Sequence, residues 1–124
     1  MLLSFSAILG FGLFGYFLND LTDKEEDRLA GKSNIFEKQS PTTAALALLT
    51  ALTLALAPWL YLPYDQTSML LIGLEIAFFI FYSVKPLRLK RHFFASAVLD
   101  SFYAFAIPAA LAVHTFSLAG GSVF

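Results

Sequence analysis

Asn19, Asp23 and Asp27 recur every four residues in the run Asn19-Asp20-Leu21-Thr22-Asp23-Lys24-Glu25-Glu26-Asp27. On a helix, each step of four residues turns by only about 40°. The side chains of Asn19, Asp20, Asp23 and Asp27 then share an arc of about 100°, with Lys24 and Arg28 outside it. Oxygen donors of this kind suit a hard divalent cation, Mg²⁺ above all. Such a cation would also relieve the repulsion among carboxylates held on one face. The plainer alternative is a solvated helix end, in which Lys24 and Arg28 neutralise their acidic neighbours.

A second run, Tyr82-Ser83-Val84-Lys85-Pro86-Leu87-Arg88-Leu89-Lys90-Arg91, places four cations within seven residues. Arginine offers paired donors to phosphate oxygens, and lysine offers a point charge. Alone, the run reads as a loop beside a membrane, touching anionic lipid headgroups. Beside a carboxylate cluster it reads as half of a diphosphate site. Carboxylates hold Mg²⁺, Mg²⁺ bridges to diphosphate, and the cations neutralise the remaining oxygens. The expected metal ligands are Asn19, Asp20, Asp23 and Asp27. The expected diphosphate ligands are Asn19, Tyr82, Lys85, Arg88, Lys90 and Arg91.

Helices in a membrane must position both runs. The chain has 124 residues, of which 58% are hydrophobic and 14% charged, with a mean hydropathy of +0.72. That composition fits a polytopic membrane protein. The net charge of −1 gives no electrostatic footprint for nucleic acid. Having no cysteine rules out disulfides, thiolate metal sites and cysteine nucleophiles. Apolar segments run over about 1–18, 42–63, 67–84 and 93–118. Each is long enough to cross a hydrocarbon core of about 30 Å, and in lipid each must be a helix. The first helix is expected to continue into the acidic run, to about residue 24. The expected fold is all-α, with four transmembrane helices in one domain over 1–124.

Both polar runs fall on the same side of that arrangement. The loop 24–40 carries Lys24, Arg28, Lys32 and Lys38, and the loop 85–92 carries Lys85, Arg88, Lys90 and Arg91. The turn Pro63-Tyr64-Asp65-Gln66 carries no cation. The positive-inside rule therefore predicts both runs at the cytoplasmic surface, with Trp59, Tyr61 and Tyr64 in an outer aromatic belt. It also predicts an external N-terminus, and hence an expected further helix upstream.

The remaining chemistry-bearing residues are few. Gly10-Phe11-Gly12-Leu13-Phe14-Gly15 matches G-x-G-x-x-G, but no strand or βαβ unit surrounds it, so the glycines are expected to let helices approach closely. Gly12 and Tyr16 fall on the face of Asn19 and Asp23, where a small residue leaves room for a ligand. Ser40 and Pro41 read as the N-cap and first turn of a helix, and Gly31-Lys32-Ser33-Asn34 as a turn. Asp100 and Glu75 are intramembrane carboxyls, costly enough to raise a functional hypothesis. Asp100 is the catalytic candidate if it faces a central cavity. Otherwise it is a hydrogen-bonded contact to Ser96, Ser101 or Tyr103. Glu75 reads as structural, and His114 as remote from this chemistry.

Taken together, the two runs resemble the UbiA-type intramembrane prenyltransferases. The first aspartate-rich motif of that family, N-(D/Q)-x-x-D-x-x-x-D, is matched by Asn19 through Asp27. Its tyrosine-led basic loop, Y-S-x-x-P-x-(R/K)-x-K, is matched by Tyr82 through Lys90. The resemblance implies a larger all-helical membrane fold around a central cavity, of which these residues would cover the second to fifth helices. It implies Mg²⁺-dependent transfer of a prenyl group from a polyprenyl diphosphate to a lipophilic, often aromatic, acceptor. It implies that Asn19, Asp23 and Asp27 bind Mg²⁺ and diphosphate. Tyr82, Lys85, Arg88 and Lys90 would hold diphosphate or shield a carbocation.

The family's second aspartate-rich motif has no counterpart in these 124 residues. The chain is therefore expected to be part of a larger enzyme and inactive alone. Two other readings are a four-helix membrane protein with a structural or assembly role, and a relative that transfers a phosphoribosyl group to a polyprenyl phosphate.

Overall fold

The computed structural model describes residues 2–84 and 88–120. Every regular element among them is helical. The elements are α1 (Leu2–Leu29), α2 (Pro41–Leu56), α3 (Gln66–Ser83), α4 (Phe93–Ser101) and α5 (Ile107–Leu118). One 3₁₀ turn, Ala57–Leu60, extends α2, and another, Leu89–Arg91, precedes α4. A π-helical turn, Phe102–Ala106, joins α4 to α5. Four helical stretches are long and apolar enough to cross a membrane: Leu2–Leu29, Pro41–Leu60, Gln66–Ser83 and Phe93–Leu118. They match the four apolar segments read from the sequence. The first helix runs on to Leu29, beyond the expected end near residue 24, so the whole acidic run is helical.

Local chemistry sets the helix ends. Gly31 at φ +70 ends α1, and the Lys32 N–H donates back to the Asp27 carbonyl at 2.8 Å. Ser40 caps α2 by accepting from the Thr43 N–H, with Pro41 in the first turn. Asp65 and Ser68 form a capping box at the start of α3.

Small residues let α1 and α2 approach closely. Ala44, Ala51 and Ala55 of α2 are buried, and a Cβ on Gly10 would collide with the backbone at Leu54 and Ala55. The Ser6 hydroxyl donates to the Leu54 carbonyl at 3.0 Å across this contact. A Cβ on Gly15 would strike the Phe79 ring of α3, whereas one on Gly12 would meet nothing within 4 Å. Two of the three motif glycines thus serve close packing. Phe11, Phe14, Leu18, Ala51, Ala55 and Phe79 form the core. Large apolar side chains such as Phe5, Leu46, Leu70 and Phe105 are exposed, as lipid-facing positions require.

The π turn changes which residues of the last span face inward. Leu99, Ile107, Leu111 and Thr115 are buried. On an α-helix Ile107, Leu111 and Thr115 step round by about 40° each, and unbroken winding would put Leu99 about 80° from Ile107 in the opposite sense, roughly 160° from Thr115. The extra residue of a π turn offsets the two halves by about 100°. An unbroken α-helix would place Asp100, seven residues before Ile107, on that inward line. In the structure Leu99 takes the place and Asp100 is exposed.

Candidate functional site

The acidic and basic runs meet at one end of the helices. Arg88 makes ion pairs with Asp23 and Glu26 of α1, and its Nη2 also donates to the Thr22 carbonyl at 3.3 Å. The Lys90 ammonium contacts the Asp23 carboxylate at 2.6 Å and donates to the Asn19 Oδ1 at 2.9 Å. Arg91 pairs with Glu26. Arg88 is only 4% exposed. Burial works against its charge, but hydrogen bonds and Coulombic attraction from Asp23 and Glu26 outweigh that and hold its pKa above the usual arginine value.

The carboxylate cluster divides into two faces. Asn19, Asp23 and Glu26 lie within about 60° of one another on the helix and face the basic segment. Asp20 and Asp27 lie at the other edge of the arc and face the loop after α1. There the Asn34 amide donates to the Asp27 carboxylate at 2.9 Å and to the Asp20 carbonyl at 2.7 Å. The Ile35 N–H donates to the Asp20 carboxylate at 3.1 Å. All four expected metal ligands are therefore engaged by donors from the protein. Among the described residues, no three His, Asp or Glu side chains gather as a metal cluster. The expectation of uncompensated like charges is corrected here: Arg88 and Lys90 compensate Asp23 from the far side of the chain. Arg28 pairs instead with Glu25, and Lys24 donates to the Gln39 carbonyl at 3.0 Å.

A cavity of about 660 Å³ opens beside this network. Asn19, Tyr82 and Ser83 line its charged end, and Ser4, Trp59 and Leu62 line its other end. Gly12 and Tyr16 line the wall between them, on the face expected for a ligand. The walls are otherwise largely aromatic and aliphatic. The Tyr82 ring packs on Tyr103 at 5.2 Å between centroids, and Tyr103 packs on Phe79 at 4.8 Å. Asn19 to Ser4 spans about 22 Å of helix rise.

The other expected residues are placed as follows. Tyr82, Arg88, Lys90 and Arg91 are brought to the acidic run or to the cavity end beside it. Lys85 lies outside the described residues. Asp100 is not among the cavity-lining residues, and its carboxyl lies against the Tyr103 hydroxyl, one of its three expected contacts. Ser96 and Ser101 donate instead to carbonyls of their own helix. His114 sits at the opposite end, where its Nε2 is 2.8 Å from the Asp65 carboxylate.

Sequence reasoning missed Glu26, Asn34 and the placement of Glu75. Glu26 could have been found by spacing, because seven residues after Asn19 returns it to within about 20° of the same face. Asn34 left no signal beyond its turn. The chain matches no family model, no curated protein and no solved structure.

Proposed function

We propose that the chain is the first diphosphate-binding part of an integral-membrane prenyltransferase, resembling the UbiA-type enzymes. One observation carries this reading. Asp23 of α1 and the Arg88–Lys90 cations meet at the polar end of a long apolar cavity. A polyprenyl diphosphate has the same polarity, with an anionic head on an apolar tail.

The donor set fits Mg²⁺ in kind. The Lys90 ammonium is shared by the Asn19 and Asp23 oxygens, as a bound cation would be. Asn19 and Asp23 would hold the metal, with Asp27 as a separate donor once Asn34 releases it. Mg²⁺, when bound, supplies neutralisation of charge on a departing diphosphate. Arg88, Lys90 and Arg91 have anionic partners already, so binding a metal diphosphate is an exchange of partners. The carboxylates give up their cations, and the cations take phosphate oxygens. Tyr82 sits where the head and tail of the substrate would join. The apolar walls exclude water from the reacting carbon and orient the tail toward a lipophilic acceptor.

Calorimetry with inorganic pyrophosphate and Mg²⁺ on the purified chain tests the reading. Binding should need Mg²⁺ and weaken at least about tenfold in both Asp23→Asn and Arg88→Gln. Binding that ignores both substitutions refutes it. A prenyl-transfer assay on these 124 residues should show no turnover, because they carry one of the two aspartate-rich motifs of the enzymes they resemble.

A second reading, a membrane protein with a structural or assembly role, is favoured by the same ion pairs, since the acidic and basic runs satisfy each other. It predicts that Asp23→Asn disturbs oligomeric assembly and leaves Mg²⁺ affinity unchanged.

A further inference from the structure

Away from the charged end, a buried carboxyl lines the cavity. Glu75 sits about 13 Å along α3 from its start, lines the cavity and is 2% exposed. Its Oε2 has no hydrogen-bond partner among the described residues. Among the described residues, no Lys, Arg or His lines the cavity with it. The surrounding wall is aromatic: Phe11, Tyr16, Trp59, Phe79, Tyr82 and Tyr103. An ionised carboxylate is costly in such a place unless a cation or a proton neutralises it. Aromatic faces attract cations and do not attract anions. One buried carboxyl inside an aromatic wall is therefore complementary to a positive charge carried on an apolar body. The pairing uses both features, whereas a neutral lipid would use only the wall.

We propose that this cavity binds a lipophilic organic cation, an amine or a quaternary ammonium, with its charge at Glu75 and its apolar body against Phe11, Phe79 and Tyr103. Its volume of about 660 Å³ leaves room for a drug-sized molecule. The site is separate from the Asp23–Arg88 network. The inference does not depend on the diphosphate reading.

The chain has one tryptophan, Trp59, and it lines this cavity, so its fluorescence reports occupancy directly. The full chain in uncharged maltoside micelles is titrated with phenylbutyltrimethylammonium and, separately, with the neutral 4-phenylbutan-1-ol. The ammonium should bind at least about tenfold tighter than the alcohol. Glu75→Gln should cut that preference to below about threefold. Glu25→Gln, which removes an exposed acid at the far end, should leave the preference unchanged. Equal binding of ammonium and alcohol to the unaltered chain overturns the proposal, and this comparison needs no variant. A preference that survives Glu75→Gln, or that vanishes in Glu25→Gln, overturns it as well. Pyrophosphate binding is read in a separate experiment, so either proposal can fail without the other.

Discussion

Arg88 reaches Asp23 across 65 residues of sequence, and it does so from a left-handed backbone at φ 40. A non-glycine residue holds that conformation only when its surroundings over-determine it. Here the surroundings are Asp23, Glu26 and the Thr22 carbonyl, all on one turn of α1. The same contacts that neutralise the acidic run also hold the backbone at Arg88.

Arg88 variants should separate these two roles. Arg88→Ala should cost about 2 kcal/mol, because Asp23 keeps Lys90 as a partner. Arg88→Gly loses the same ion pairs but relieves the backbone, so it should be less destabilising than alanine by about 1 kcal/mol. Unfolding in mixed detergent micelles measures both. An alanine variant more stable than the glycine variant would show that the backbone at this position is not strained.

Gly10 and Gly12 should behave oppositely. Gly10→Ala places a methyl against the Ala55 backbone and should cost about 2–3 kcal/mol. Gly12→Ala meets nothing within 4 Å and should gain up to about 1 kcal/mol from helix propensity. The same unfolding measurement decides, with equal losses at both positions as the contrary outcome.

Asn34 should matter more than a loop residue usually does. It is 9% exposed and its amide spans the Asp20 carbonyl and the Asp27 carboxylate. Asn34→Ala should cost about 1–2 kcal/mol. Asn34→Asp should be worse, since it sets a third carboxylate against Asp20 and Asp27, and added Mg²⁺ should recover part of that loss. A thermal melt of each variant with and without Mg²⁺ shows whether the ordering holds.

Asp65 should give the opposite end of the bundle an acid limit. The Ser68 N–H, then the His114 side chain, hold the Asp65 carboxyl below its usual value. A carboxyl lowered in the folded state contributes stability above its unfolded value and loses it as pH falls through the folded one. The loss therefore falls below about pH 4. Asp65→Asn cannot titrate there, so its stability gap from the unaltered chain should be present at pH 6 and narrow at pH 3. A constant gap across that range contradicts the assignment.

Much of this arrangement was legible in the residues, for identifiable reasons. Hydropathy marked the four spans because lipid leaves the backbone no alternative to a helix. Loop charge brought the two polar runs together, and spacing put Asp23 at their meeting point. Spacing could not say which partner each carboxylate takes. Asp20 and Asp27 go to Asn34 and Ile35 because the loop folds back along that edge of α1. Asp100 was open between a cavity-facing role and a contact within its helix, because its face could not be read without knowing that the turn 102–106 departs from α-helical winding. Glu75 had no local partner in the sequence, and the structure places it in a cavity rather than against one.

That wide turn before Pro108 acts as a phase shifter with a single step. Deleting one residue within 102–106 would restore ordinary winding and rotate the preceding half of the span by about 100°. Leu99 would leave the interior and Asp100 would take its place, setting an acid among apolar side chains. Which side chain this half of the span turns inward is thus set by the length of the chain at one turn, with no change in the identity of any side chain around it.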